Sequence, residues 1–227
     1  MGINKNTLKL SPLQENKFLI MLLALFGVIL IHPLIIDFIR LRFLILIFMS
    51  FIFLASIYAV SLKKLVFIVA LILALPAFTL MWADFFLDIG GLRHAKNIFG
   101  MLFMLYMIIE FLKHFFRQTE INREVIFGAL VVYLLLGIMW ANAYSLLEGL
   151  QPNSFNLPLT LAELDSFSYV YFSYVTMTTL GYGDISPATD PARSLAMIQA
   201  ITGQIYLAVL VARLVGINIA QQMVKKE

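Results

Sequence analysis

Apolar residues run along this chain in six long stretches, at about 17–36, 41–60, 65–82, 97–116, 125–147 and 193–221, broken by short polar or basic segments. Each is close to the roughly 20 residues that a helix needs to cross the hydrocarbon of a bilayer. Segment 148–191, between the last two, is different. It holds one shorter apolar and aromatic stretch, 167–178, which is too short to span and predicts a re-entrant helix with its backbone buried in protein. The pattern predicts an all-α membrane protein: six transmembrane helices plus one half-span. The opening residues, 1–17, are polar and basic, and Ser11-Pro12-Leu13-Gln14 has the spacing of a capping box that starts the first helix. No small-x-small site follows the first apolar run, and His32-Pro33-Leu34 is a poor cleavage context, so the first span is expected to stay uncleaved.

Composition sharpens this reading. The chain of 227 residues is 62% hydrophobic and 13% charged, against roughly 45–50% and about 25% in soluble domains. A disordered chain is excluded, and a water-soluble enzyme is close to excluded. The absence of cysteine removes disulfides and thiolate chemistry. The net charge of +3 is small, and the basic residues flank apolar runs, which points to topology rather than nucleic acid. Lys5, Lys9, Lys17, Lys63, Lys64, Lys113, Arg117, Arg123, Lys225 and Lys226 share one side of a six-span layout, so both termini are expected in the cytoplasm. The half-span loop then opens to the outside. No polar stretch is long enough to build a soluble domain.

The chemistry lies directly after the half-span, in Thr178-Thr179-Leu180-Gly181-Tyr182-Gly183-Asp184. A cation entering a bilayer loses its water, and rings of backbone carbonyls can replace those oxygens. Aligned carbonyls require alternating backbone conformations that a Cβ resists, and Gly181 and Gly183 supply that freedom. This stretch closely resembles the selectivity filter of potassium channels, normally written TVGYG, and the resemblance covers about the last hundred residues. It implies potassium sites formed by the carbonyls of Thr179, Leu180, Gly181 and Tyr182 with the Thr179 hydroxyl, and Gly183 at the outer mouth. Tyr182 would turn from the axis and pack against the half-helix. Thr178 and Asp184 would support the filter, as would Tyr171 and Phe172, which match bracing aromatics. Asp184, which matches the family's outer-mouth carboxylate, is expected to accept a hydrogen bond from Tyr171. Glu163 and Asp165, with Asp165 or Ser166 as cap, would sit at the positive end of the pore helix. Two departures stand out: Leu180 replaces the usual valine, and Val175 stands where some relatives carry a buried glutamate.

Asp190-Pro191 reads as a helix start. Gly203 falls where the family carries an inner-helix hinge, and a close-packing role is equally open. Helical spacing puts Gln204, Leu207, Val211, Val215 and Ile219 along the cavity and its cytoplasmic exit, where an apolar ring can gate by dewetting. Arg213 in this helix is expected to snorkel, to pair with Glu124, or to contact an anionic lipid.

The fourth span lacks the basic residue at every third position that voltage sensors carry; Glu110, Lys113 and His114 come only near its inner end. The expected organisation is a cytoplasmic segment at 1–17, a sensor-like four-helix domain at 18–117 and an interfacial linker at 118–124. A pore domain follows at 125–221, with pore helix 167–178, filter 179–183 and inner helix 191–221, then a cytoplasmic tail at 222–227. One filter loop per chain implies, by the resemblance, four identical chains around one pore. The expected function is passive, potassium-selective conduction without enzymatic chemistry, any cofactor beyond permeant potassium, or the usual voltage gating. The rivals are a non-selective cation channel and a regulatory subunit that conducts only with a partner.

Overall fold

The computed structural model describes residues 16–35, 39–60, 64–87, 89–156 and 166–224. Its elements are α1 (Lys17–Ile35), α2 (Ile39–Val60), α3 (Lys64–Leu87), α4 (Gly90–Arg117), α5 (Arg123–Leu150), β1 (Phe155–Asn156), α6 (Ser166–Met177), β2 (Ser186–Pro187) and α7 (Asp190–Val224). The fold is mostly helical. Among the described residues, α3, α4, α5 and α7 are long and apolar enough to cross a membrane, and shorter apolar stretches, Lys17–Ile31 and Leu46–Tyr58, lie in α1 and α2. The expected capping box at Ser11 and the expected caps Glu163 and Asp165 lie outside the described residues.

Helix α4 packs along both α3 and α5, and α1 packs on α2 and α5. Met21 and Leu25 of α1, Met107 of α4 and Val131, Val132 and Leu135 of α5 are fully buried where these helices meet. Ala70, Ala74 and Ala77 form the buried stripe of α3, small residues that let the helices approach closely.

Helix α4 begins at Gly90, seven residues before the apolar run that announces it. Its polar first turns are helical because their charges are met: Lys96 lies 2.5 Å and Arg93 3.9 Å from the Asp84 carboxylate of α3. Leu92 and Arg93 N–H both donate to the Ile89 carbonyl and start the turn. Helix α5 begins at Arg123, so the connection after α4 is 118–122, and Asn122 caps it by accepting from the Val125 N–H at 2.9 Å.

Between α5 and α7 the chain makes a miniature antiparallel pair, Phe155 opposite Pro187 and Asn156 opposite Ser186. Glu148, in the last turn of α5, closes the preceding loop by accepting from the Asn153 and Ser154 N–H groups. Phe155 then enters a buried aromatic cluster with Tyr144, Tyr169 and Phe172. The segment before α6 is thereby tied to the segment after the loop that follows α6.

Candidate functional site: the pore helix and the loop that follows it

Helix α6 is twelve residues long and lies against α5 and α7. Ser173 and Phe172 face inward: the Ser173 hydroxyl donates to the Gly137 carbonyl at 2.6 Å, and the Phe172 ring meets Tyr144 edge-on at 4.9 Å. Tyr174 reaches the Leu134 carbonyl at 2.7 Å. Three successive side chains of one short helix are therefore fixed to α5.

The last turn of α6 then holds the loop. Thr178 N–H donates to the Tyr174 carbonyl, and Thr179 N–H to that of Thr176. The Val175 carbonyl receives two amides, Leu180 N–H at 3.0 Å and Gly181 N–H at 3.3 Å. Beyond this point the backbone alternates. Thr179, Gly181 and Gly183 have φ of 61°, 59° and 79°, whereas Leu180 and Tyr182 do not enter the left-handed region. Glycine adopts that region freely, and a β-branched threonine does so only under local constraint. The Thr179 hydroxyl donates to the Thr178 carbonyl at 2.6 Å. This is the alternation that successive carbonyls require to face one way.

Past the loop, Asp184 accepts from the Tyr171 hydroxyl at 2.6 Å and from the Ile185 N–H at 3.0 Å. The Tyr171 hydrogen bond holds the Asp184 carboxyl below its ordinary range. The two expected bracing aromatics thus divide: Tyr171 reaches the loop exit, and Phe172 turns to α5. Leu180 and Tyr182 are 54% and 67% exposed within one chain.

Helix α7 runs unbroken through Gly203, where a Cβ would lie 2.5 Å from the Met177 Cγ and 2.9 Å from the Met177 carbonyl oxygen. The glycine gives α7 its close approach to the end of α6. Gln204, Val211, Val215 and Ile219 are exposed on α7, and Leu207 is half-buried. Arg213 does not pair with Glu124. Its Nη2 donates to the Phe116 carbonyl at 2.6 Å and the Gln118 carbonyl at 3.0 Å, and its guanidinium lies 5.3 Å from the centre of the Phe116 ring. It caps the C-terminal end of α4, where cations are favoured.

Sequence reasoning missed a buried network behind this site. Gln199 of α7 is fully buried and joins Tyr144 of α5 to Ser173 of α6. An amide within a long apolar run is the available signal, because polar groups in such runs need partners.

Residues 124–219, from α5 through most of α7, match the ion channel family. This segment is thus similar to an ion channel domain, and it is carried on helices long and apolar enough to cross a membrane. Its relatives are potassium channels. Two-pore potassium channel 4 of Arabidopsis thaliana is 36% identical over 87 residues, covering 38% of this chain and 27% of that one. Two pore potassium channel a of Oryza sativa subsp. japonica is 28% identical over 112 residues, 49% of this chain and 29% of the relative. Two-pore potassium channel 3 of Arabidopsis thaliana is 32% identical over 117 residues, 48% and 24% of the two chains. The matches span about a quarter of the length of these relatives. No solved structure matches the chain.

Proposed function

We propose that this chain forms a potassium-selective channel in which four copies surround one pore. Six helices, α1 to α5 and α7, span the membrane, α6 is the re-entrant pore helix, and both termini face the cytoplasm. The carbonyls of Thr179, Leu180, Gly181 and Tyr182, with the Thr179 hydroxyl, take the place of the ion's water. Gly183 and Asp184 form the outer mouth. Helices α1 to α4 form a sensor-like domain without a voltage sensor's charges, and Gln204, Leu207, Val211, Val215 and Ile219 line the cavity and its exit.

The observation that carries this reading is the alternation of left-handed φ at Thr179, Gly181 and Gly183, directly behind a short helix whose Val175 carbonyl anchors two loop amides. Tetramerisation is supported by surface that one chain leaves bare: Leu180 and Tyr182, with Ile198, Ile201 and Ile205 on α7, are each more than half exposed. Apolar and aromatic side chains beside a carbonyl-lined loop find cover against a neighbouring copy.

The test is potassium flux from liposomes loaded with the purified chain under a potassium gradient. Barium-sensitive flux that is absent in Gly181→Ala and does not carry sodium supports the reading. A Cβ at 181 meets no atom within 4 Å in the chain, so the substitution acts through the φ of 59°. That conformation costs an L-residue about 1–2 kcal/mol. Equal sodium flux would establish a non-selective cation channel. A folded tetramer that carries no flux would establish a subunit dependent on a partner.

A further inference from the structure

Behind the loop lies a hydrogen-bonded chain that crosses three helices. The Gln199 Nε2 donates to the Ser173 carbonyl at 3.0 Å and to the Ser173 Oγ at 2.6 Å. Its Oε1 accepts from the Tyr144 hydroxyl. The Ser173 hydroxyl in turn donates to the Gly137 carbonyl at 2.6 Å. Every donor of the amide is used and the direction of each bond is fixed. Gln199, Ser173 and Tyr144 are all essentially inaccessible to solvent.

We propose that Gln199 is a positioning residue for ion selectivity, setting the axial position of the pore-helix end and, through it, the filter. This rests on the channel reading above. The Ser173 carbonyl that Gln199 grips is two residues before the Val175 carbonyl, which receives the Leu180 and Gly181 amides. A shift of α6 along its axis moves the Val175 oxygen by the same amount and turns the filter amides with it. Apolar packing resists such a slide weakly, because one aliphatic surface glides over another. An amide with two fixed donors does not, since a displacement of one residue, about 1.5 Å, breaks its bonds. In a low-dielectric interior those bonds are costly to leave unmade.

The same face of α7 makes a second, steric contact one turn on. Gly203 closes on the Met177 carbonyl, four residues beyond Ser173 on α6. The two contacts have different chemistry and one geometric result: α6 can neither rotate nor retreat from α7. Valine occupies position 175, so no acidic side chain there braces the filter from behind. The Gln199 chain supplies bracing from the opposite side of the pore helix.

The experiment compares potassium and sodium permeability, from bi-ionic reversal potentials in reconstituted bilayers, for the wild type and Gln199→Met, Tyr144→Phe and Ser173→Ala. Gln199→Met keeps the length and bulk of the side chain and removes both donors. Its potassium-over-sodium ratio is expected to fall about tenfold, the equivalent of one net hydrogen bond between two filter geometries. Tyr144→Phe and Ser173→Ala each keep part of the chain and are expected to shift the ratio in the same direction by less. A merely structural role would lower the yield of tetramer or its thermal midpoint and leave the ratio of the surviving channels unchanged. An unchanged ratio in tetrameric Gln199→Met overturns the proposal. If that variant does not assemble, unchanged ratios in both other variants overturn it. A wild type without potassium selectivity overturns the channel reading itself, and this one with it.

Discussion

At the scale of single residues, one pair governs the exit of the loop after α6. Asp184 is held below its ordinary range because the Tyr171 hydroxyl donates to it. The sign follows directly. A depressed carboxylate stays ionised through the pH at which a free aspartate, near about 3.9, has half titrated. The pairing therefore contributes above the unfolded value and is lost as pH falls through the lowered, folded one. Tyr171→Phe removes the donor and raises the Asp184 pKa toward the free value. Potassium flux measured against external pH should then lose its acidic limb at higher pH in Tyr171→Phe than in the wild type. Coincident curves would mean that Asp184 does not shape the ion's approach. Gly203 is the steric counterpart of this pair. Gly203→Ala places a methyl 2.9 Å from the Met177 carbonyl oxygen, and backbone cannot yield there as a flexible side chain can. Overpacking of this kind costs about 1–3 kcal/mol. A lower thermal midpoint is expected, together with reduced flux, because the displaced atoms end the helix that carries the filter.

Among the elements, the join between α4 and α7 matters most. Arg213 extends from α7 to two carbonyls at the end of α4, so the two helices share one guanidinium. Hydrogen bonds from a charged donor contribute about 1.5–3 kcal/mol each. Arg213→Gln is expected to destabilise the folded chain by about 2 kcal/mol, seen as a lower midpoint in thermal unfolding, with Arg213→Lys intermediate because an ammonium cannot reach both carbonyls in one plane. An unchanged midpoint in Arg213→Gln would show the contact to be energetically idle. This element also shows where sequence reading stops. The short helix α6, the glycine alternation and the Tyr171–Asp184 bond were legible, because each follows from nearby residues and their types. The partner of Arg213 was not, because backbone carbonyls leave no mark in a sequence, and Glu124 stood as the visible countercharge. The early start of α4 was hidden for a related reason. Gly90, Gly91, Arg93 and Lys96 read as a loop until Asp84, on a different helix, supplies the charge that keeps Arg93 and Lys96 helical. Gln199 was legible only as an amide in an apolar run; its two partners lie 26 and 55 residues away.

For the whole molecule, that early start raises the question of voltage. Arg93 and Lys96 are three residues apart on α4, the spacing by which voltage sensors place their charges, and both are drawn to one carboxylate, Asp84. The resemblance ends there. From 97 to 109 the helix carries no charge, and the next basic residue, Lys113, is spent 2.6 Å from Glu110. Each charge that crosses the whole field contributes about 2.3 kcal/mol per 100 mV, and steep gating draws on three to four such charges in each subunit. Here two charges sit in the opening turns of α4, and moving either inward would pull it from Asp84 into the uncharged stretch, with no second acid among the described residues of α3 to receive it. The energetic barrier lies on the side of staying. Current through the reconstituted channel in symmetric potassium should therefore vary almost linearly with voltage over about −100 to +100 mV. Neutralising Arg93 and Lys96 together should leave that slope unchanged while lowering the thermal midpoint, since Asp84 would lose both of these cations. A steep, sigmoidal conductance that the double substitution flattens would show that two outer charges suffice to work this gate, and that the four-helix domain senses the field after all.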